Sequence, residues 1–186
     1  MLFRSLYYLA IVKGCPASAD GIIKTPLIAN TQTRTVSIDK KRGKAAVTIY
    51  KKIADFQAFS LLIVCPLTRR THQLQVHLQS IDCPLAIDPI YAADRPLMLS
   101  EIKKGYRTQD IEKPLIDRLT LHCYQISIPD HAGQLQNYVA PLDKQFAAAI
   151  KMLTKYTPNS SFENENVYNS IISASPLPVE TLPLER

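Results

Sequence analysis

The sequence predicts an α+β fold: a mixed, mainly antiparallel sheet with flanking helices. Three observations carry this. Runs rich in β-branched and aromatic residues, "YYLAIVKG", "AAVTIYKKI" and "FQAFSLLIVC", succeed one another early in the chain, and such residues suit a pleated, half-buried surface. The connections between them are too short for crossover helices, so neighbours should pair antiparallel. A clear helical period comes late, in "DKQFAAAIKMLTKY", where Phe146, Ile150 and Leu153 share a face and Asp143 stands near the start.

Element by element, "YYLAIVKG" reads as a buried strand closed by Gly14, and "GIIKTPLI" as an extended piece broken by Pro26. "TRTVSID" alternates as a strand does, and "KRGK" follows as a turn containing Gly43. "AAVTIYKKI" and "FQAFSLLIVC" should form a hairpin. The next stretch, "PLTRRTHQLQVHL", fits two periods: Leu74, Val76 and Leu78 alternate, whereas Leu74, Leu78, Ile81 and Leu85 recur at helical spacing. Its length favours a helix, with Thr68 or Thr71 as N-cap. "RPLMLSEIKKGYR" reads as a helical insertion, "DRLTLHCYQISI" and "LQNYVAPL" as buried strands, and "DKQFAAAIKMLTKY" as the closing helix. Beyond Tyr156 the patterning stops, and Pro158, Pro176, Pro178 and Pro183 with several Ser and Asn mark a low-order tail. The chain therefore divides into one domain over residues 1–156 and a tail over 157–186.

At 186 residues, 46% apolar and 20% charged, the chain can bury a real core. Its net charge of +6 suggests a polyanionic partner, although many basic proteins bind none. That charge is uneven: between Lys24 and Lys52 eight Lys or Arg face one acid, Asp39, while the tail carries Glu163, Glu165, Glu180 and Glu185 against Arg186. The cluster Lys40, Lys41, Arg42 and Lys44 suits phosphate contact and equally a solvated hairpin tip. Cys15, Cys65, Cys83 and Cys123 show no C-x-x-C spacing, which argues against zinc knuckles and redox motifs; each sits among apolar neighbours, as free core thiols do. His72 and His77 have no third ligand at a sensible spacing, so no metal is expected, and His122 reads as a structural histidine. Arg4, "LYYLAIV" and "ASA" at residues 17–19 imitate a leader, but Lys13 follows the apolar stretch at once. No run approaches the ~20 apolar residues of a membrane span. The expected location is cytoplasmic.

The paired guanidinium groups of Arg69 and Arg70, directly after the apolar run "FSLLIVC", call for an anion, because such groups are rarely buried without a partner. They fall where a strand ends and a helix begins, a junction that aims side chains and free amides into a cleft.

"YYLAIVKG", "GKAAVTIY", "FSLLIVCPLTRRTHQLQVHL", "CPLAIDPIY", "RLTLHCYQISI" and "YVAPLDKQF" occur in the order and spacing of the large ribosomal subunit pseudouridine synthase A family, which the chain resembles over roughly Leu6 to Leu153. The resemblance implies isomerisation of uridine to pseudouridine in structured RNA, ribosomal or transfer, without cofactor or metal. It maps the family's Arg-Thr-His-Gln motif onto Arg70, Thr71, His72 and Gln73, with Arg70 pairing the catalytic aspartate, and it maps the family's base-stacking tyrosine onto Tyr8. These, with Arg69 and the basic turn Lys40, Lys41, Arg42 and Lys44, are the expected catalytic and RNA-binding residues. The sequence departs from the pattern in three places. The family's His-Arg-Leu-Asp stretch, about thirty residues upstream of the tyrosine strand, is not found between Met1 and Arg186; Arg69 stands where a glycine is usual; Gln75 stands where another arginine is usual. Asp88 maps onto a turn outside the reacting position. Three readings stand: part of a working enzyme whose aspartate segment lies upstream, a non-catalytic RNA-binding homologue, or an unrelated basic β-rich domain. In the first two, residues 1–186 alone are expected to be inactive.

Overall fold

The computed structural model describes residues 5–92, 94–107 and 111–157; nearly all of the expected tail, 157–186, lies outside them. Two neighbouring runs form the centre of the sheet. β1 (Ser5–Lys13) and β6 (Phe59–Pro66) bury residues on both faces, so Leu9, Ala10, Ile11, Val12, Leu61, Leu62, Ile63 and Val64 are all enclosed. This is why both read as unbroken apolar runs rather than alternations. Around them the chain adds β2 (Asp20–Ile23), β5 (Thr48–Asp55), β7 (Leu121–Pro129) and β8 (Leu135–Val139), giving the order β2-β5-β6-β1-β7-β8. Every pairing between these strands is antiparallel. β3 (Leu27–Asn30) and β4 (Thr35–Ile38) form a separate two-stranded arm.

The two sheet faces carry separate cores. On one face Leu9, Ile11, Leu61 and Ile63 meet Phe146, Ala149, Ile150 and Leu153 of helix α3 (Lys144–Tyr156). On the other, Ala10, Val12, Leu62 and Val64 meet Leu74 and Leu78 of helix α1 (Gln73–Gln79). The expected hairpin of β5 and β6 is present, and Asp143 caps α3 as its position suggested, its carboxylate accepting from the Gln145 and Phe146 amides.

Four expectations are corrected. Neither Thr68 nor Thr71 caps α1; the cap is His72, in the left-handed region at φ 50, without a side-chain cap bond. The stretch "RPLMLSEIKKGYR" yields one helical turn, α2 (Leu99–Ile102), because Leu97 is held in a β-bridge to Ile116 and Gly105 turns out at φ 71. β8 is no buried strand: all five of its residues are exposed at the sheet edge. Of the cysteines, Cys65 and Cys83 are buried, and burial pushes both thiols up to about 11, but Cys15 and Cys123 are exposed. Among the described residues no helix is long and apolar enough to cross a membrane.

Candidate active site

Tyr8 reaches its position through a bulge. The β1–β7 register shifts between Tyr7 and Tyr8, which face Gln125 and Cys123; such an irregularity re-aims neighbouring side chains. Tyr7 turns into the α3 layer, its ring centroid 6.3 Å from that of Tyr124, while Tyr8 turns toward the α1 layer. Burial and contact with Cys123 raise the Tyr8 pKa, against the pull of Arg69. Its phenol therefore stays protonated at neutral pH, fit to stack or donate but not to act as a base.

The loop from Thr68 to His72 is held by Gln73. This side chain is 3% exposed and fully bonded. Its carbonyl oxygen accepts from Thr68 Oγ1 at 2.8 Å and from the Arg70 amide at 3.1 Å. Its amide donates to Val47 O at 2.9 Å and to Thr48 Oγ1 at 3.0 Å. One turn on, His77 is fully buried; its Nε2 donates to Thr25 O at 3.0 Å, so its Nδ1 accepts from Thr48 Oγ1 at 2.8 Å. Burial lowers the His77 pKa, in keeping with a neutral ring.

The loop divides two clefts. The first, about 300 Å³, brings together Tyr8, Arg69, Arg70 and His72 against an apolar wall that includes Leu6, Leu74 and Leu121. Tyr8 and Arg70 thus meet across 62 positions of sequence. The second, about 490 Å³, lies toward the β3–β4 arm; Arg42, Lys44, Arg69, Arg70 and Thr71 line it over a floor of Leu27 and Val36. Lys40 and Lys41 line neither cleft but sit exposed on the same turn as Arg42. Asp39 shapes that turn, its carboxylate accepting from the Lys41 and Arg42 amides at 2.9 Å and from Arg42 Nε at 3.1 Å. Gly43 is required there, because a Cβ would come within 2.4 Å of Asp39 O and 2.8 Å of the Pro26 carbonyl carbon.

No carboxylate among the described residues lines either cleft. Arg70 is exposed, and its Nε donates to Ala45 O at 3.1 Å. Asp88 is buried in a turn, its Oδ1 accepting from the Ile90 amide at 2.9 Å, the Tyr91 amide at 3.2 Å and Gln75 Nε2 at 3.2 Å. It braces the turn and does not enter the clefts.

Gln73, expected among the RNA contacts, has its polar atoms committed inward and instead holds the loop. Sequence reasoning missed the Gln73–Thr48–His77 chain. Its one trace was the placement of Gln73 and His77 four apart, on one helix face, after a buried strand. It also missed Tyr91, whose hydroxyl lies 2.8 Å from His72 Nδ1 and 2.7 Å from the Val36 amide.

Residues 4–80 match a family model described as RNA pseudouridylate synthase. Among curated relatives, the ribosomal large subunit pseudouridine synthase D of Nitrosomonas europaea is 34% identical over 156 residues, 83% of this chain and 42% of its own. An uncharacterized RNA pseudouridine synthase, YlyB, of Bacillus subtilis is 40% identical over 151 residues, 80% of this chain and 44% of its own. The chain thus spans less than half the length of these relatives. Among solved structures, human RNA Pseudouridylate Synthase Domain Containing 1 superposes with a TM-score of 0.59 at 20% identity, covering 93% of this chain and 67% of its own, which establishes the shared fold. The match thus takes in the strand bearing Tyr8 and the loop and helix bearing Arg70 to His77, and the chain belongs to the RNA pseudouridylate synthase family.

Proposed function

We propose that this chain carries the arginine–tyrosine half of a uridine-isomerising site that acts on structured RNA, ribosomal or transfer, in the cytoplasm and without cofactor or metal. The observation that carries this reading is the convergence of Tyr8 and Arg70 on one apolar-walled cleft. A uridine turned out of its helix is the kind of group such a cleft takes, since a base must leave the stack before its glycosidic bond can be reached. Tyr8, protonated, offers a face for the base. Arg70, always charged, offers a fork for a carboxylate.

The reaction breaks the bond from N1 to the sugar, turns the base, and joins the sugar to C5, whose proton then leaves. That sequence needs a carboxylate to act at the sugar or base. Arg70 cannot serve, and Asp88 is tied to three donors in its turn. No carboxylate of the described residues lines the cleft, and Arg70 is placed to hold ionised the carboxylate that completes the site. The test is tritium release from 5-tritiated uridine in bulk ribosomal RNA. Residues 1–186 should release none; a chain extended by a segment bearing His-Arg-Leu-Asp should release tritium, and Arg70→Ala should stop it. Release by residues 1–186 that is lost on Asp88→Ala would overturn the assignment.

A second reading, a non-catalytic RNA-binding homologue, is favoured by the lack of any carboxylate along the clefts among the described residues. It predicts RNA binding but no tritium release from the extended chain either.

A further inference from the structure

His72 is a residue under local constraint. It holds φ 50 at the start of α1, a left-handed conformation that a non-glycine residue adopts only where its surroundings impose it. Its ring meets Tyr91 edge-on, with centroids 5.5 Å apart at 78°. Tyr91 itself is fixed at three points. Its amide is held by Asp88, its carbonyl accepts from Gln79 Nε2 at 3.3 Å, and its ring packs on the small core of Leu27, Val36, Ala46 and Val76.

The proton count on the Tyr91 hydroxyl favours one tautomer of His72. The Val36 amide can only donate, so at 2.7 Å the phenol oxygen accepts there. The phenol has one proton, and its other neighbour is His72 Nδ1 at 2.8 Å. Among the described residues that proton has no other acceptor, so the arrangement that satisfies it has Nδ1 accepting and the imidazole hydrogen on Nε2. Burial raises the Tyr91 pKa, which keeps the phenol proton in place at neutral pH. No described residue bonds His72 Nε2, and His72 lines the cleft that holds Tyr8 and Arg70. Val36, at the other end of the relay, lies in β4 and forms part of the floor of the second cleft.

We propose that Tyr91 is a positioning residue: it locks His72 as an Nε2–H donor to an RNA acceptor oxygen in the first cleft, and by the same hydroxyl ties the β3–β4 arm to that cleft. The two clefts are thereby held at one spacing, so that a base in the first and its neighbouring phosphates along the second are bound together. This rests on the RNA reading above for its ligand, but the lock itself belongs to the free protein.

The experiment therefore has two independent arms. In the free chain, long-range proton–nitrogen correlation spectra of the His72 ring should show the Nε2–H tautomer alone. In Tyr91→Phe they should show a mixture of tautomers, and the Val36 amide should exchange faster. A single Nε2–H tautomer retained in Tyr91→Phe would overturn the lock. In the second arm, a fluorescent uridine-loop hairpin RNA is titrated. Tyr91→Phe should weaken binding about tenfold, the scale of one hydrogen bond made well or badly. His72→Asn keeps an acceptor toward Tyr91 and tolerates the left-handed backbone. It should keep slow Val36 exchange yet lose the same affinity, and it serves if Tyr91→Phe folds poorly. Wild-type affinity in His72→Asn would overturn the donor role. Failure of the wild-type chain to bind the hairpin at all, with the tautomer lock present, would sink the RNA reading and leave the lock standing.

Discussion

Replacing Gln73 by Ala removes a partner from four groups, the Arg70 amide, Thr68 Oγ1, Val47 O and Thr48 Oγ1, of which Val47 O keeps the Leu67 amide and Thr48 Oγ1 keeps His77 Nδ1. Buried groups stripped of hydrogen bonds cost about 1–3 kcal/mol each where water cannot replace the partner. Two of the four stand near the cleft and can be rehydrated, and the other two keep a second partner, so Gln73→Ala should lower the unfolding free energy by roughly 1–3 kcal/mol, read as a fall in the urea midpoint. Gln73→Glu should be at least as damaging, since a carboxylate cannot donate to Val47 O. His77 gives this network a pH dependence. Its folded pKa lies below the ordinary histidine value, so the unfolded chain takes up a proton that the folded chain refuses. Stability is thus full above about pH 6.5 and falls as pH drops from there toward the folded pKa. Urea midpoints at two pH values on either side of 6.5 should differ more for the wild type than for His77→Gln; equal differences would show that His77 is not a source of the acid sensitivity.

At the scale of elements, α3 tests how firmly the sheet's second face is closed. Asp143 caps it and also pairs with Arg118, whose guanidinium lies 5.7 Å from the Phe146 ring centre. Asp143→Ala should cost about 1 kcal/mol for the cap, with little added by an ion pair whose members are both more than a third exposed. Asp143→Asn, which keeps an accepting oxygen, should recover most of that in thermal denaturation. The elements also show what the sequence disclosed and what it withheld. β1, β5, β6 and α3 were legible because burial on a fixed face writes a period into the chain. α1 was legible as a helix, but its cap was not. Thr68 and Thr71 were plausible by residue type, and the real start was set by Gln73 anchoring the loop to β5, a contact 25 residues away in sequence that no local pattern encodes. The four-residue α2 was misread because its apparent period competes with a bridge from Leu97 to Ile116 that only the folded chain supplies. The expected carboxylate partner of Arg70 was a matter of family pattern, and within the described residues its Nε meets the Ala45 carbonyl instead.

At the scale of the whole molecule, a set of cations lies beside the β3–β4 arm. Arg42, Lys44, Arg69 and Arg70 line one cleft, and Lys40 and Lys41 extend the same turn. The Arg42–Asp39 pair does not withdraw Arg42 from this set: its side chain is 80% exposed, and exposed pairs are worth little, so a phosphate can compete for it. Such a surface binds a polyanion chiefly by releasing its counterions, which makes the affinity a function of salt. Each phosphate neutralised adds about 0.7–0.9 to the slope of log K against log salt concentration. If the three lysines Lys40, Lys41 and Lys44 each meet a phosphate, converting all three to Gln should flatten that slope by about 2 to 3 and weaken binding at low salt, while leaving the fold intact because all three are exposed. Gly43→Ala should act differently. A Cβ there collides with backbone rather than with movable side chains, so it should deform the turn and lower thermal stability together with affinity. Filter binding of ribosomal RNA fragments across a salt series separates the two: charge loss changes the slope with an unchanged melting temperature, whereas turn distortion shifts both. An unchanged slope in the triple Gln variant would show that the basic turn is a solvated rim, and would move the phosphate contacts to Arg69 and Arg70 beside the Tyr8 cleft.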